Sequence, residues 1–171
     1  MQISRRDLMM TATAGVMFPH TALAQTPKEI TWDDLIAPGV PYSQIIGEGQ
    51  VDPENDRWLP EFDENARKLN DALDGAYIKL PGYIIPWDIS SAGVTSFVLV
   101  PYVGACIHVP PPPPNQLIFV ETKTPWPSES LWEAVWVTGT MRHEFQATEI
   151  ADIGYFLAAD EMDVFEWEDN Y

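Results

Sequence analysis

Ala76-Tyr77-Ile78-Lys79-Leu80-Pro81-Gly82-Tyr83-Ile84-Ile85-Pro86-Trp87 is the stretch on which the fold turns. Its β-branched and aromatic residues read as strand. The Pro81-Gly82 pair inside it implies a kink or bulge, the mark of a long curved strand. Four blocks of similar composition follow: Thr95 to Tyr102, Leu117 to Thr122, Glu133 to Phe145 and Tyr155 to Trp167. Between the third and fourth blocks, Pro127-Ser128-Glu129-Ser130-Leu131-Trp132 reads as a capped turn of helix. Five strands with a short helix in that position predict a mainly β domain, an OB-like five-stranded Greek-key barrel. A small β-sandwich is the alternative, because strand count alone does not decide closure.

Upstream of Gly75 the pattern changes. Thr31-Trp32-Asp33-Asp34-Leu35-Ile36 places a capping residue before acids in a first turn and predicts a short helix stopped by Pro38-Gly39. Val40 to Pro60 is rich in Pro, Gly and Asp without a sustained period and reads as loop. A second helix is expected from Glu64 to Leu73, capped by Asp63, with Ala66, Leu69, Ala72 and Leu73 on one face and Asp74-Gly75 at its end. The chain thus divides into residues 1–24, a leader; 25–62, a short N-terminal helix and loop; and 63–171, a helix followed by the barrel.

The leader reads as an export signal. Arg5-Arg6 precede a small, weakly apolar stretch ending in Ala22-Leu23-Ala24, an A-x-A cleavage pattern. Ser4-Arg5-Arg6-Asp7-Leu8-Met9 resembles the twin-arginine signal, whose route carries folded proteins, with an ordinary secretory signal as the alternative. A periplasmic, soluble protein starting at Gln25 is expected. No apolar run is long enough for a membrane span. The 26 Asp+Glu against 9 Lys+Arg give a net charge of -17, which excludes the clustered cations that phosphate backbones require. Nucleic acid is therefore not an expected partner. Seven Trp and 46% hydrophobic residues equally exclude a disordered acidic tail.

Cleavage after Ala24 leaves Cys106, His108, Met141, His143 and Met162 as the soft ligands of the mature chain. Cys106 and His108 lie in Gly104-Ala105-Cys106-Ile107-His108-Val109, directly before Pro110 to Pro114. In an extended segment, residues two apart project to one face. Thiolate beside imidazole suits zinc or copper. The five prolines form a stiff polyproline II rod roughly 15 Å long, which pins what precedes it. A buried small hydrophobe is the commonest role of a lone Cys, and a hydrogen bond to turn backbone is that of a lone His. An unpaired Cys in an oxidising compartment must be buried, capped or metal-bound. Met141 and His143 repeat the two-residue spacing and would face Cys106 and His108 across the barrel as weaker ligand candidates, although a Met at a strand end more often serves packing. The chain lacks C-x-x-C, H-E-x-x-H and G-x-S-x-G patterns. No catalytic residues are assigned, and a non-enzymatic role is expected. The acids of Asp160-Glu161-Met162-Asp163 and Glu166 to Asp169 read as a solvated edge that guards the last strand.

Leu80 to Pro86, Phe97 to Val109 with its proline run and Asn115-Gln116, and Val135 to Thr140 resemble the DUF3299 family of exported bacterial proteins, over roughly residues 30 to 168. The resemblance maps Cys106 and His108 onto the family motif, and does not extend to Met141 and His143. It further implies an association with metal-uptake loci, zinc in particular. The expected function is an exported metal-binding accessory protein for zinc, with copper as second choice, acting with another exported or membrane-associated protein of a metal-uptake system. The alternative is a non-catalytic periplasmic interaction module that uses the barrel face and the polyproline rod.

Overall fold

The computed structural model describes residues 25–53, 57–104, 111–127, 132–148 and 151–166. Three short strands, β1 (Lys28–Glu29), β2 (Gln50–Asp52) and β3 (Arg57–Leu59), precede five long ones: β4 (Tyr77–Ser90), β5 (Gly93–Val100), β6 (Ile118–Trp126), β7 (Ala134–Ala147) and β8 (Asp152–Val164). The long strands pair in the order β4-β5-β6-β8-β7, and β7 returns to β4. The sheet is thereby closed, which decides against the sandwich. All five junctions are antiparallel except β6–β8, which is parallel. Relabelled one to five, the barrel runs 1-2-3-5-4-1, the OB-type arrangement.

Alternation along each strand fills the interior in layers. One layer holds Ile84, Leu99, Ile118 and Tyr155, with His143 opposite Tyr155 on β7. The next holds Phe97, Val120, Leu157 and Met141, all fully buried. The opposite parity forms an outer row of Ile85, Val98, Phe119, Phe156 and Arg142. There the Phe119 and Phe156 rings stack at 6.4 Å and the Arg142 guanidinium lies 5.4 Å over Phe156.

The long first strand bends as its composition requires, by a different device. Pairing with β7 runs unbroken from Tyr77 to Tyr83, and pairing with β5 takes over from Tyr83. Pro81-Gly82 thus sits where β4 changes partner, and the irregular register falls later, between Pro86 and Ile89. Gly82 is required by space: a Cβ there would lie 2.8 Å from the Leu99 side chain and 2.9 Å from Trp32.

The N-terminal helical segment is corrected. Trp32–Leu35, Glu64–Arg67 and Asp71–Leu73 are single 3-10 turns. The caps form as expected, since Asp63 accepts from Asn65 N at 3.0 Å and Thr31 bonds Asp34 Oδ2 through both its N and Oγ1. What ends the turns is tertiary. Ile36 and Leu69 pair with each other as an isolated β-bridge, so both leave helical geometry, and Asn70 then caps a new turn by accepting from Ala72 N. The 40–60 stretch read as loop contains the β2–β3 hairpin, whose three-residue strands are too short to show a period. Of the turn expected at Pro127 to Trp132, residues 128–131 lie outside those described. Ile30 and Leu35 are buried in the barrel core, and β1 runs parallel to β4.

Candidate functional site

Cys106 and His108 lie outside the described residues. The backbone that follows them is firmly held. Pro112, Pro113 and Pro114 are buried. Pro114–Gln116 forms a 3-10 turn against the barrel, and two buried amides lock it. Asn115 Nδ2 donates to the carbonyls of Asn65 (3.0 Å) and Lys68 (3.4 Å), and Gln116 Nε2 donates to Trp32 O at 3.0 Å. The described end of the proline run is thus stitched to two segments upstream of the barrel, at Trp32 and at Asn65 to Lys68.

Beside this anchor lies a groove of ≈460 Å³ bordered by Gln50, Glu61, Asp63, Arg67, Pro111 and Asp152, among others. Its electrostatics are mixed. Arg67 Nη1 donates to Asp152 Oδ2 at 2.8 Å, and its guanidinium sits 4.7 Å over Phe145. Asp63 is occupied as a cap, accepting from the backbone N–H groups of Asn65 and Gln44. The Glu61 side chain faces solvent.

Met141 and His143 share the inner face of β7, as their spacing predicts, yet their surroundings differ. Met141 is fully buried in the apolar core cluster. His143 stands at the barrel mouth. Its Nε2 is 2.8 Å from Asn70 O, and because a carbonyl only accepts, Nε2 carries the proton in this contact. Nδ1 is then the ring nitrogen left to accept or ligate, and Asp71 Oδ1 lies 3.7 Å away. The ring meets Tyr155 edge-on at 5.4 Å.

Tyr155 organises this mouth, and nothing in the sequence singles it out. Its hydroxyl donates to Leu35 O at 2.6 Å and accepts from Asn70 N at 2.7 Å. One side chain on β8 thus ties the Trp32–Leu35 turn to the cap of the Asp71–Leu73 turn. Burial pushes its pKa up to about 12, against the lowering effect of the Asn70 bond. The partners are backbone atoms of distant loops, which leave no compositional trace; only an aromatic with a polar tip inside the apolar run Ile153 to Ala159 hints at them. Among the described residues no group of three or more His, Cys, Asp or Glu side chains is placed to hold a metal ion, and no helix is long and apolar enough to cross a membrane.

The family model for DUF3299, proteins of unknown function, matches residues 32–164. The chain belongs to the DUF3299 family. A crystal structure of a DUF3299 protein from Pseudomonas aeruginosa PAO1, at 2.45 Å resolution, superposes with a TM-score of 0.67 at 36% identity, covering 84% of this chain and 99% of that one. No curated protein matches the chain. The barrel described above is therefore the architecture of a DUF3299 domain, and the family description brings no activity with it.

Proposed function

We propose that this DUF3299 protein is an exported, periplasmic metal-binding accessory protein, for zinc in the first place and copper(I) in the second, with Cys106 and His108 as its soft ligands. The observation that supports this most is the anchor beyond the motif. Pro111, three residues past His108, is at the rim of the groove, and Pro112 to Gln116 are buried and bolted to the fold. A ligand pair tethered to so rigid a segment loses little freedom when it closes on a cation. Thiolate and neutral imidazole are the forms that bind, so binding releases the thiol proton. The remaining ligands come from the partner, from water or from side chains near the groove. Twin-arginine export of the folded domain would keep the thiol shielded on the way out, and the protein would act with another exported or membrane-associated component of a metal-uptake system.

Metal analysis of protein purified from the periplasm tests this reading. Wild type is expected to carry near-stoichiometric zinc that Cys106→Ser and His108→Ala lose while keeping the same circular dichroism spectrum. Equal sub-stoichiometric metal in all three proteins would end it. The interaction-module alternative draws less support, because the described end of the rod, Pro112 to Pro114, is turned into the fold and offers a partner little surface.

A further inference from the structure

We propose that the groove beside the proline anchor binds a small organic amine, a ligand with a protonated nitrogen on an apolar body. At ≈460 Å³ the groove has the size of sites that enclose small molecules. It is bordered by Leu59 to Asp63, by the Glu64–Arg67 turn, by the proline run from Pro111, and by Thr148 and Asp152 where β7 gives way to β8. Its least exposed residues are apolar. Ala66 is 2% exposed and Pro112 and Pro114 are buried, with Leu59, Pro60 and Phe62 half-buried beside them. This lining is held in place from both sides, by the Asn115 amide on the carbonyls of Asn65 and Lys68, and by Ile46 N donating to Glu61 O at 2.7 Å.

Hydrogen-bonding capacity selects the ligand. Proline has no backbone N–H to offer, and Pro60, Pro111, Pro112 and Pro114 all line the groove. The carboxylates of Glu61, Asp63 and Asp152 only accept. The strongest donors are already directed elsewhere: Arg67 Nη1 donates to Asp152 Oδ2 at 2.8 Å with its guanidinium over Phe145, and Thr148 Oγ1 donates to Ala151 O at 2.7 Å. Gln50 adds a neutral amide. Asp63 is committed as a cap and Asp152 to Arg67, whereas Glu61 has neither a side-chain hydrogen bond nor an ion pair among the described residues. Such a groove is rich in acceptors and poor in donors. Three carboxylates against one guanidinium repel an anion, a neutral acceptor finds few donors, and a bare metal ion makes no use of the apolar lining. An ammonium group at Glu61, with a hydrocarbon or aromatic body along the prolines, satisfies both halves. The site uses neither Cys106 nor His108 and is independent of the metal reading.

The test titrates the full chain with tryptamine and follows backbone amide shifts by NMR. Three ligands isolate the requirements: indole-3-propionate replaces the ammonium by a carboxylate, tryptophol replaces it by a neutral hydroxyl, and spermidine keeps the charge without the apolar body. Tryptamine is expected to bind, more weakly at high salt, and to move the amides of Ala66, Arg67 and Asp152; the other three should bind at least tenfold more weakly. Glu61→Gln, an exposed and isosteric change, should weaken tryptamine about tenfold, the value of one charge-assisted hydrogen bond. Glu161→Gln, far along β8 from Asp152, should leave it unchanged. Tryptophol binding as tightly as tryptamine, or an unaltered affinity in Glu61→Gln, would overturn the proposal. Spermidine binding equally well, or equal weakening by both variants, would reduce the effect to bulk charge, and shifts centred on Trp87 and Phe119 would place the ligand elsewhere; either result also overturns it. A ten-residue peptide containing Trp and Lys that binds a hundredfold tighter than tryptamine would overturn it in favour of a protein partner.

Discussion

Tyr155 is the residue whose removal tests most of the site at once. Tyr155→Phe keeps the ring in its layer and deletes one donor and one acceptor, so Leu35 O and Asn70 N lose their partner in a buried setting. An unpaired buried polar group costs about 1–3 kcal/mol, and urea unfolding should register a loss of that size, with the N-terminal 3-10 segments loosening first by hydrogen exchange. The same residue sets an alkaline limit. A phenol at about 12 in the fold and near 10 when unfolded stays protonated longer in the native state, so its contribution is complete below pH 10 and is lost as the pH rises from there toward 12. The Phe variant should lack that part of the alkaline decline; an unchanged slope would show that Tyr155 does not cause it. None of this was open to a reader of the sequence. Tyr155 appears there as one more strand aromatic, whereas the Met141 and His143 pairing on one face was legible, because side-chain parity is intrinsic to a strand.

At the level of elements, β7 and β8 share the longest pairing in the barrel, from Val135–Val164 to Ala147–Asp152. Register shifts between Thr138/Glu161 and Gly139/Ala159, leaving Asp160 as an extra residue on β8. At this point a Cβ on Gly139 would collide with the Ala158 carbonyl. Because the obstacle is backbone and not a side chain that can swing away, Gly139→Ala should cost about 3 kcal/mol, the upper part of the usual range for overpacking, and lower the Tm by roughly 10 °C for a domain of this size. A melting temperature within a degree of wild type would show that the strands separate freely here. The five long strands and the barrel were readable because each is long enough to carry its own composition and parity. The N-terminal helices were misread for the opposite reason. Their caps are genuine local signals, and the Ile36–Leu69 bridge that overrides them pairs residues far apart in the chain. The β2–β3 hairpin escaped because its six paired residues carry too little pattern.

Taken as a whole, the molecule carries far more acid than base, with 26 Asp+Glu and 9 Lys+Arg. Three described ion pairs, all partly or largely exposed, contribute little, so self-repulsion is the larger long-range electrostatic effect. Added salt shortens the screening length to about 10 Å at 0.1 M. The Tm should therefore rise between low and moderate ionic strength; a fall would mean that ion pairs dominate after all. Closure of the barrel has a consequence in time. Its last seams join Tyr77 to Thr140 and set β6 beside β8 in parallel, pairings that no local turn can template. Loop entropy must be lost before either seam yields any stabilisation, and topologies of this kind fold in milliseconds to seconds. Because β8 lies between β6 and β7 in the closed order, the barrel cannot close until that strand has been made. Until then the edges of β6 and β7 that β8 will cover stand unpaired, and that is the interval in which the half-built sheet is open to pairing with something else.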